Sequence, residues 1–263
     1  MTDSDPNPGA PAGDTWSAPQ NLSRFYGSGA PPSPQCSSTF AGGHGIQLQG
    51  GAKRGRLLVP GYHIHACTRN GSDVVEFSHV WFSDDHGATW SRSSEFGFGT
   101  AEGSLVELFE SSAGGGRPLR ASLRVDSPSK CKCVGRNGSV PAAYVKHCRR
   151  NALSRDGGDT WSDLHDLASL PDPGVRGGMT TAPAHRAIVV TNPNNESVRT
   201  NMSVHVSVND GATYGSSLQF WEGVGGYSDV ARHPYPARSF LSSFPGAISS
   251  SVPRLLKHGV ADP

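Results

Sequence analysis

Three things are scarce in this 263-residue chain. Charged residues make up only 17% and nearly cancel, with 23 Lys and Arg against 22 Asp and Glu and a net charge of +1. That balance removes the electrostatic basis for binding nucleic acid or an anionic membrane surface. No apolar run approaches the roughly 20 residues that a transmembrane helix needs. Cysteine is limited to Cys36, Cys67, Cys131, Cys133 and Cys148. An odd count excludes complete intramolecular pairing, and five are too few to scaffold a chain of this length. Residues 1–14 (MTDSDPNPGAPAGD) lack the basic and apolar regions of a signal peptide and are not read as one.

Glycine and proline are abundant instead, 33 and 20 residues, together about a fifth of the chain. Both break helices, so short strands joined by turns are expected in place of a helical bundle. An internal repeat supports this. Residues 83–90 (SDDHGATW) and 154–161 (SRDGGDTW) both fit S-x-D-x-G-x-T-W. Residues 207–214 (SVNDGATY) are a degenerate copy with Asn209 and Tyr214, and residues 13–16 (GDTW) keep only the tail of a fourth. The copies recur about every 50–75 residues, the size of a four-stranded propeller blade with insertions.

The repeat has a physical reading as a hairpin turn. Asp85 or Asp156 accepts backbone N–H bonds within the turn, and Gly87, Gly158 and Gly211 supply positive φ. Trp90, Trp161 and Tyr214 then plug the gap between neighbouring strands. Residues 75–83 and 187–191 are strand-like. Met202, Val204, Val206 and Val208 alternate with Ser203, His205 and Ser207, the pattern of a half-buried strand. Residues 111–118 suit a loop tip, and residues 232–263 show no period. A β-sandwich with similar turns is the rival architecture.

These repeats resemble the Asp boxes of the sialidase (neuraminidase) superfamily, a six-bladed β-propeller. Other segments occur in that family's order. Residues 42–61 (GGHGIQLQGGAKRGRLLVPG) resemble its G-x-G-I-Q…G-R-L-x-V-P segment. Residues 102–108 (EGSLVEL) resemble the segment holding its catalytic glutamate, and Ser122-Leu123-Arg124 sits where the family has N-A-R. Residues 192–201 (NPNNESVRTN) resemble the segment of the third triad arginine, and Gly226-Tyr227-Ser228-Asp229 that of the tyrosine nucleophile. The resemblance covers about residues 13–231 and is nearest the animal lysosomal type, including its C-x-C at Cys131-Lys132-Cys133.

The resemblance implies an all-β, sialidase-type propeller over residues 1–231 with about four of six blades represented, followed by an unassigned segment, 232–263. It implies an exo-α-sialidase acting on sialylated glycoconjugates, with no cofactor. It carries Tyr227 over as nucleophile, Glu102 as its base, and Arg124 and Arg199 as two of three arginines that clamp the substrate carboxylate. Glu107 reads as a structural or supporting residue. The family's first triad arginine and its acidic aspartate find no matching motif, and the chain is expected to begin inside the second blade. The alternatives are an inactive, sialoside-binding propeller and an Asp-box interaction scaffold. Oligomeric state is not indicated.

Two further clusters stay open. His63, His65 and Cys67, or Cys131, Cys133, His147 and Cys148, could ligate a metal, though neither has zinc-finger spacing; a disulfide is the other reading if the protein is secreted. Sequons at Asn21, Asn70, Asn137, Asn195 and Asn201 are either accidental or the mark of a secretory or lysosomal route.

Overall fold

The computed structural model describes residues 18, 19, 21, 38–66, 74–109, 116–125, 147–232 and 240–243. The described residues form antiparallel sheets and a single turn of 3-10 helix at Pro183–His185. The first sheet orders β1 (Ser38–Phe40), β3 (Leu57–Ala66), β4 (Val74–Ser83) and β5 (Ser91–Arg92). In the same sheet β2 (Ile46–Gln47) pairs with β3, and β6 (Phe96–Phe98) with β4. The second runs β7 (Thr100–Glu107), β8 (Leu119–Val125), β9 (Cys148–Ser154) and β10 (Ser162–Pro171). The third runs β11 (Gly178–Ala182), β12 (Ala187–Pro193), β13 (Met202–Ser207) and β14 (Ser216–Trp221). A fourth pairs β15 (Asp229–Arg232) with β16 (Phe240–Ser243).

Each sheet is built from consecutive strands, which is a blade arrangement; a sandwich would share distant strands between two sheets. Three blades and the start of a fourth are thus present among the described residues. β16 comes from the segment in which no period was found, because Phe-Leu-Ser-Ser carries no alternation to reveal it. Residues 111–115 of the expected loop tip lie outside the described residues.

The blades stack through apolar faces. Leu48, Leu58, Val80, Leu105, Leu119 and Leu123 join blades one and two. Val106, Leu153, Leu170, Met179, Ile188 and Val190 join blades two and three. Ala182, Ala187, Val189 and Val230 continue into the fourth. Burial of both sheet faces leaves no solvent side on the central strands, so every residue of β9 and β12 is buried. The same fact reverses one expectation. In β13 the polar set Ser203, His205 and Ser207 is fully buried, while of the apolar set Met202 is fully buried, Val204 and Val206 are half-buried, and Val208, just past the strand, is 78% exposed. The alternation is there, but it distinguishes two covered faces, not core from solvent.

The three repeats are superposable in their bonding. Ser83 Oγ accepts from Gly87 N (2.8 Å) and donates to Asp85 Oδ1 (2.8 Å), and Asp85 accepts from Thr89 N (2.8 Å) and Thr89 Oγ1 (2.5 Å). Ser154, Asp156, Gly158 and Thr160 repeat this set. In the third copy Asn209 Oδ1 accepts from Thr213 N (3.0 Å), while its amide donates to Thr213 Oγ1 (2.9 Å). Gly87, Gly158 and Gly211 all have positive φ, as expected, but so do the residues before them: His86 at 57°, Gly157 at 74° and Asp210 at 55°.

The boxes also join blades. Arg56, its side chain 4% exposed, donates to both oxygens of Asp84 in the first box and to Asp159 in the second. Arg120 and Asn151 of blade two donate to the carbonyls of Asp210 and Gly211 in the third box. Trp161 stacks on Phe96 of blade one, 4.8 Å between centroids, so the aromatic fills a gap between blades and not only between strands.

Replacing Asp156 by Ala removes the acceptor for Thr160 and Asp159 and is expected to lower stability by about 1–2 kcal/mol. Asp156→Asn should retain most of it, as Asn209 does in the third box. Calorimetric melting at pH 7 distinguishes the two. The bonds from Thr89, its hydroxyl first, and from Ser83 hold the Asp85 carboxyl down to about 2. A depressed carboxyl stabilises above its ordinary value and ceases to as pH falls through the folded value. Asp85→Asn should therefore flatten part of the acid loss between about pH 4 and pH 2.

Candidate active site

The four residues singled out by sequence come from three blades and converge. Glu102 lies on β7 and Arg124 on the adjacent β8, with a register irregularity between Thr100 and Gly103 that turns the Glu102 segment out of regular pairing. Glu102 Oε2 accepts from Arg124 Nη1 at 2.6 Å, with the two side chains 16% and 11% exposed. The same nitrogen donates to the Tyr227 hydroxyl at 3.4 Å. Tyr227 lies in the segment that enters β15. Arg199, on the exposed loop between β12 and β13, sets its guanidinium 5.5 Å from the centre of the Tyr227 ring, a cation–π distance. No direct hydrogen bond joins Glu102 to Tyr227; Arg124 stands between them.

Each member is held from behind. Arg199 Nη2 donates to Gly174 O (3.3 Å), and Arg199 O accepts from Gly225 N (2.8 Å). The loop bearing Gly174 is tied by Asp172, whose Oδ1 accepts from Gly174 N and Val175 N (2.8 and 2.9 Å). Asp172 Oδ2 in turn pairs with Arg149 (3.0 Å), a guanidinium of zero exposure that also bonds Ser122 and Val175 O. Ser228, next to Tyr227, donates to Thr191 O (2.7 Å). Asn195 Oδ1 accepts from Ser197 N and Val198 N, folding the loop that presents Arg199. Glu107 accepts from Gln49 N and Gly50 N at 2.9 and 3.0 Å and so supports the connection between β2 and β3.

A chain presenting this site has relatives. The family model for the BNR repeat-like domain matches residues 4–240. A sialidase of Micromonospora viridifaciens is 29% identical over 212 residues, 77% of this chain and 28% of that protein. The chain is a BNR-repeat member of the sialidase superfamily. Hadza microbial sialidase Hz136 superposes with a TM-score of 0.63 at 19% identity, covering 88% of this chain and 39% of that one. The intramolecular trans-sialidase of Ruminococcus gnavus, solved with oseltamivir carboxylate, gives 0.60 at 22% identity, covering 88% and 43%. These blades are therefore those of a sialidase-type β-propeller, and the chain spans less than half the length of these relatives. The relatives bear on the superfamily; they do not single out the animal lysosomal type.

Sequence reasoning about this superfamily member missed Tyr62, His44, Arg176 and Asp229. Tyr62, on β3, stands in the field of Glu102, Glu76 and Arg124; burial, then the two carboxylates, push its phenol up. Its only local signal was its place after the strand-like LLVP. His44 and Asp229 lay inside quoted motifs but 185 residues apart, and they bond at 2.9 Å. Of the suspected metal clusters, His63 bonds His79 (3.0 Å) and Glu95 (2.9 Å). Cys148, the first residue of β9, is buried. The His65 side chain and Cys36, Cys67, Cys131 and Cys133 lie outside the described residues. No helix among the described residues is long and apolar enough to cross a membrane.

Asp172→Asn would leave the Arg149 charge buried without its counter-ion. Unpairing a buried ion pair costs about 3–5 kcal/mol. The expected outcome is a urea midpoint lowered accordingly, measured beside Asp166→Asn, whose Arg150 partnership is less enclosed and should cost less.

Proposed function

We propose that this chain is an exo-α-sialidase of the retaining type, removing terminal sialic acids from glycoproteins, gangliosides or oligosaccharides. Tyr227 is the nucleophile, Glu102 its base, and Arg124 with Arg199 the clamp for the substrate carboxylate. The observation that carries this reading is the convergence of two guanidinium groups on one phenol, with one of them paired to Glu102.

The chemistry follows from the substrate. Sialic acid bears a carboxylate on its anomeric carbon, which planar guanidinium groups hold with paired bonds. That same charge repels a carboxylate nucleophile, so a neutral phenol is the better attacker. A phenol with a pKa near 10 needs a base. Arg124 Nη1 bonds both Glu102 and Tyr227. A substrate carboxylate that draws Arg124 toward itself leaves Glu102 free to take the phenol proton. The phenol oxygen then bonds the anomeric carbon as the bond to the aglycone oxygen breaks. Water later displaces the tyrosine, and two inversions give retention. The aglycone oxygen leaves with a proton from a general acid, a contribution worth roughly 10²–10⁴-fold. That role is assigned to none of the four residues, and a propeller that binds sialosides without turning them over is the second reading.

Release of fluorophore from a fluorogenic sialoside tests the first reading. Turnover that falls by at least about 10³-fold in Tyr227→Phe, with melting unchanged, supports it. Wild-type protein that binds a sialoside by calorimetry but releases nothing supports the second. Turnover equal to wild type in Tyr227→Phe overturns the assignment of the nucleophile.

A further inference from the structure

His44 sits on the turn after β1 in the first blade. Two glycines shape that turn, Gly42 at φ 73° and Gly43 at 78°. A side chain at Gly43 would run into the Arg176 guanidinium, so the turn is pressed against the loop before β11. Its start is fastened by Ala41 N to Pro60 O at 2.9 Å. From there His44 Nδ1 bonds Asp229 Oδ1 at 2.9 Å. Asp229 is the first residue of β15 and lies two residues beyond Tyr227. The first blade is thereby joined to the fourth by one side chain from each.

The Tyr227–Asp229 segment has two kinds of anchor. Ser228 is buried, donates from its hydroxyl to Thr191 O, and donates from its amide to the Arg176 carbonyl (3.3 Å). These bonds do not involve a titrating group. On the other side, β15 lies flush on β11: a Cβ on Gly178 would sit 2.6 Å from the Asp229 Cα. The Asp229 carboxylate takes its own Val230 N–H (2.9 Å) and the His44 ring. Only this last bond changes its charge near neutrality: the imidazolium makes an ion pair, whereas the neutral ring keeps at most an uncharged, weaker bond.

We propose that His44 is a positioning residue for the Tyr227 segment, its imidazolium clasping Asp229 in mildly acidic solution and loosening its hold as the ring deprotonates. The charged groups facing the pair among the described residues are each other and Arg176. The bond to Asp229 raises His44 above its ordinary value; burial and the Arg176 charge oppose without prevailing. Burial is the largest influence on Asp229 and opposes its ionisation, but the His44 bond and charge, the Val230 N–H and the Arg176 charge together prevail and hold the carboxyl low. A raised imidazole contributes stability that is whole below its ordinary value near 6.5 and lost as pH rises through the folded value. A lowered carboxyl contributes above its ordinary value and is lost as pH falls. The clasp is therefore closed between the ordinary carboxylate and raised imidazole values, and it opens above.

The consequence for catalysis rests on the Tyr227 reading above; the clasp itself does not. The test is amide hydrogen exchange over residues 226–230 in the full chain, comparing wild type with His44→Gln at pH 5.5 and at pH 8. Taking the ratio at each pH cancels the intrinsic exchange rate. Wild type should be about 5–10-fold more protected at pH 5.5, with the ratio falling to about one at pH 8. Asp229→Asn should behave as His44→Gln does and serves in its place if that variant does not fold. A ratio that is the same at both pH values, whether one or larger, overturns the proposal. A wild-type chain with no sialoside turnover would count against the proposed activity, while the exchange ratios would still decide the clasp.

Discussion

The ion pair between Arg149 and Asp172 is the interaction on which the site depends. Both side chains are sealed from water, at 0% and 1% exposure. A charge so placed is tolerable only because every direction of the guanidinium finds an acceptor: Ser122 Oγ and O, Asp172 Oδ2 and Val175 O. Those acceptors belong to β8 and to the connection that leaves blade two for blade three. The pair thereby fixes the loop whose Gly174 carbonyl supports Arg199, and beyond it the Arg176 carbonyl that receives Ser228. Asn192 on β12 donates to Asp172 as well (3.1 Å), so blade three is tied to the same carboxylate. His205, facing this charge from β13, is kept neutral: burial, then the Arg149 charge, bring its ring down to about 4.

Around that polar centre the blades are held by two different means. Apolar faces fill the space between sheets, which gives adhesion without direction. Direction comes from the repeats. Each box is rigid because a serine, an aspartate or asparagine, a glycine and a threonine satisfy one another within seven residues. Its carbonyls and carboxylates are then free to receive Arg56, Arg120 and Asn151 from the blade before. One motif thus closes its own hairpin and sets the angle to its neighbour.

The site inherits this construction. Glu102 and Arg124 are neighbours on one blade, and their ion pair needs little from elsewhere. Arg199 and Tyr227 arrive on loops, so their positions depend on carbonyls, serines and the clasp at Asp229. The phenol stands between two guanidinium groups, one of them bonded to a carboxylate, so these polar groups are already oriented by one another.

The hairpin turns were legible because their bonds are local: Ser83, Asp85, Gly87 and Thr89 reach one another across at most four residues. The strand at 202–207 was legible for the same reason, since alternation is a property of consecutive residues. Glu102, Arg124, Arg199 and Tyr227 were legible only as members of ordered motifs. What the sequence by itself determined, then, is the all-β blade repeat; it also singled out four side chains that the fold brings near one another. The tertiary structure alone decided which face of β13 lies deeper, that Phe240–Ser243 pairs with β15, and that His44 meets Asp229. It also decided that Arg149 finds Asp172 and that Tyr62 joins the site. Each of these joins residues from different strands or blades, and burial on both faces of a blade erases the polar-to-apolar contrast by which a single sequence signals inside from outside.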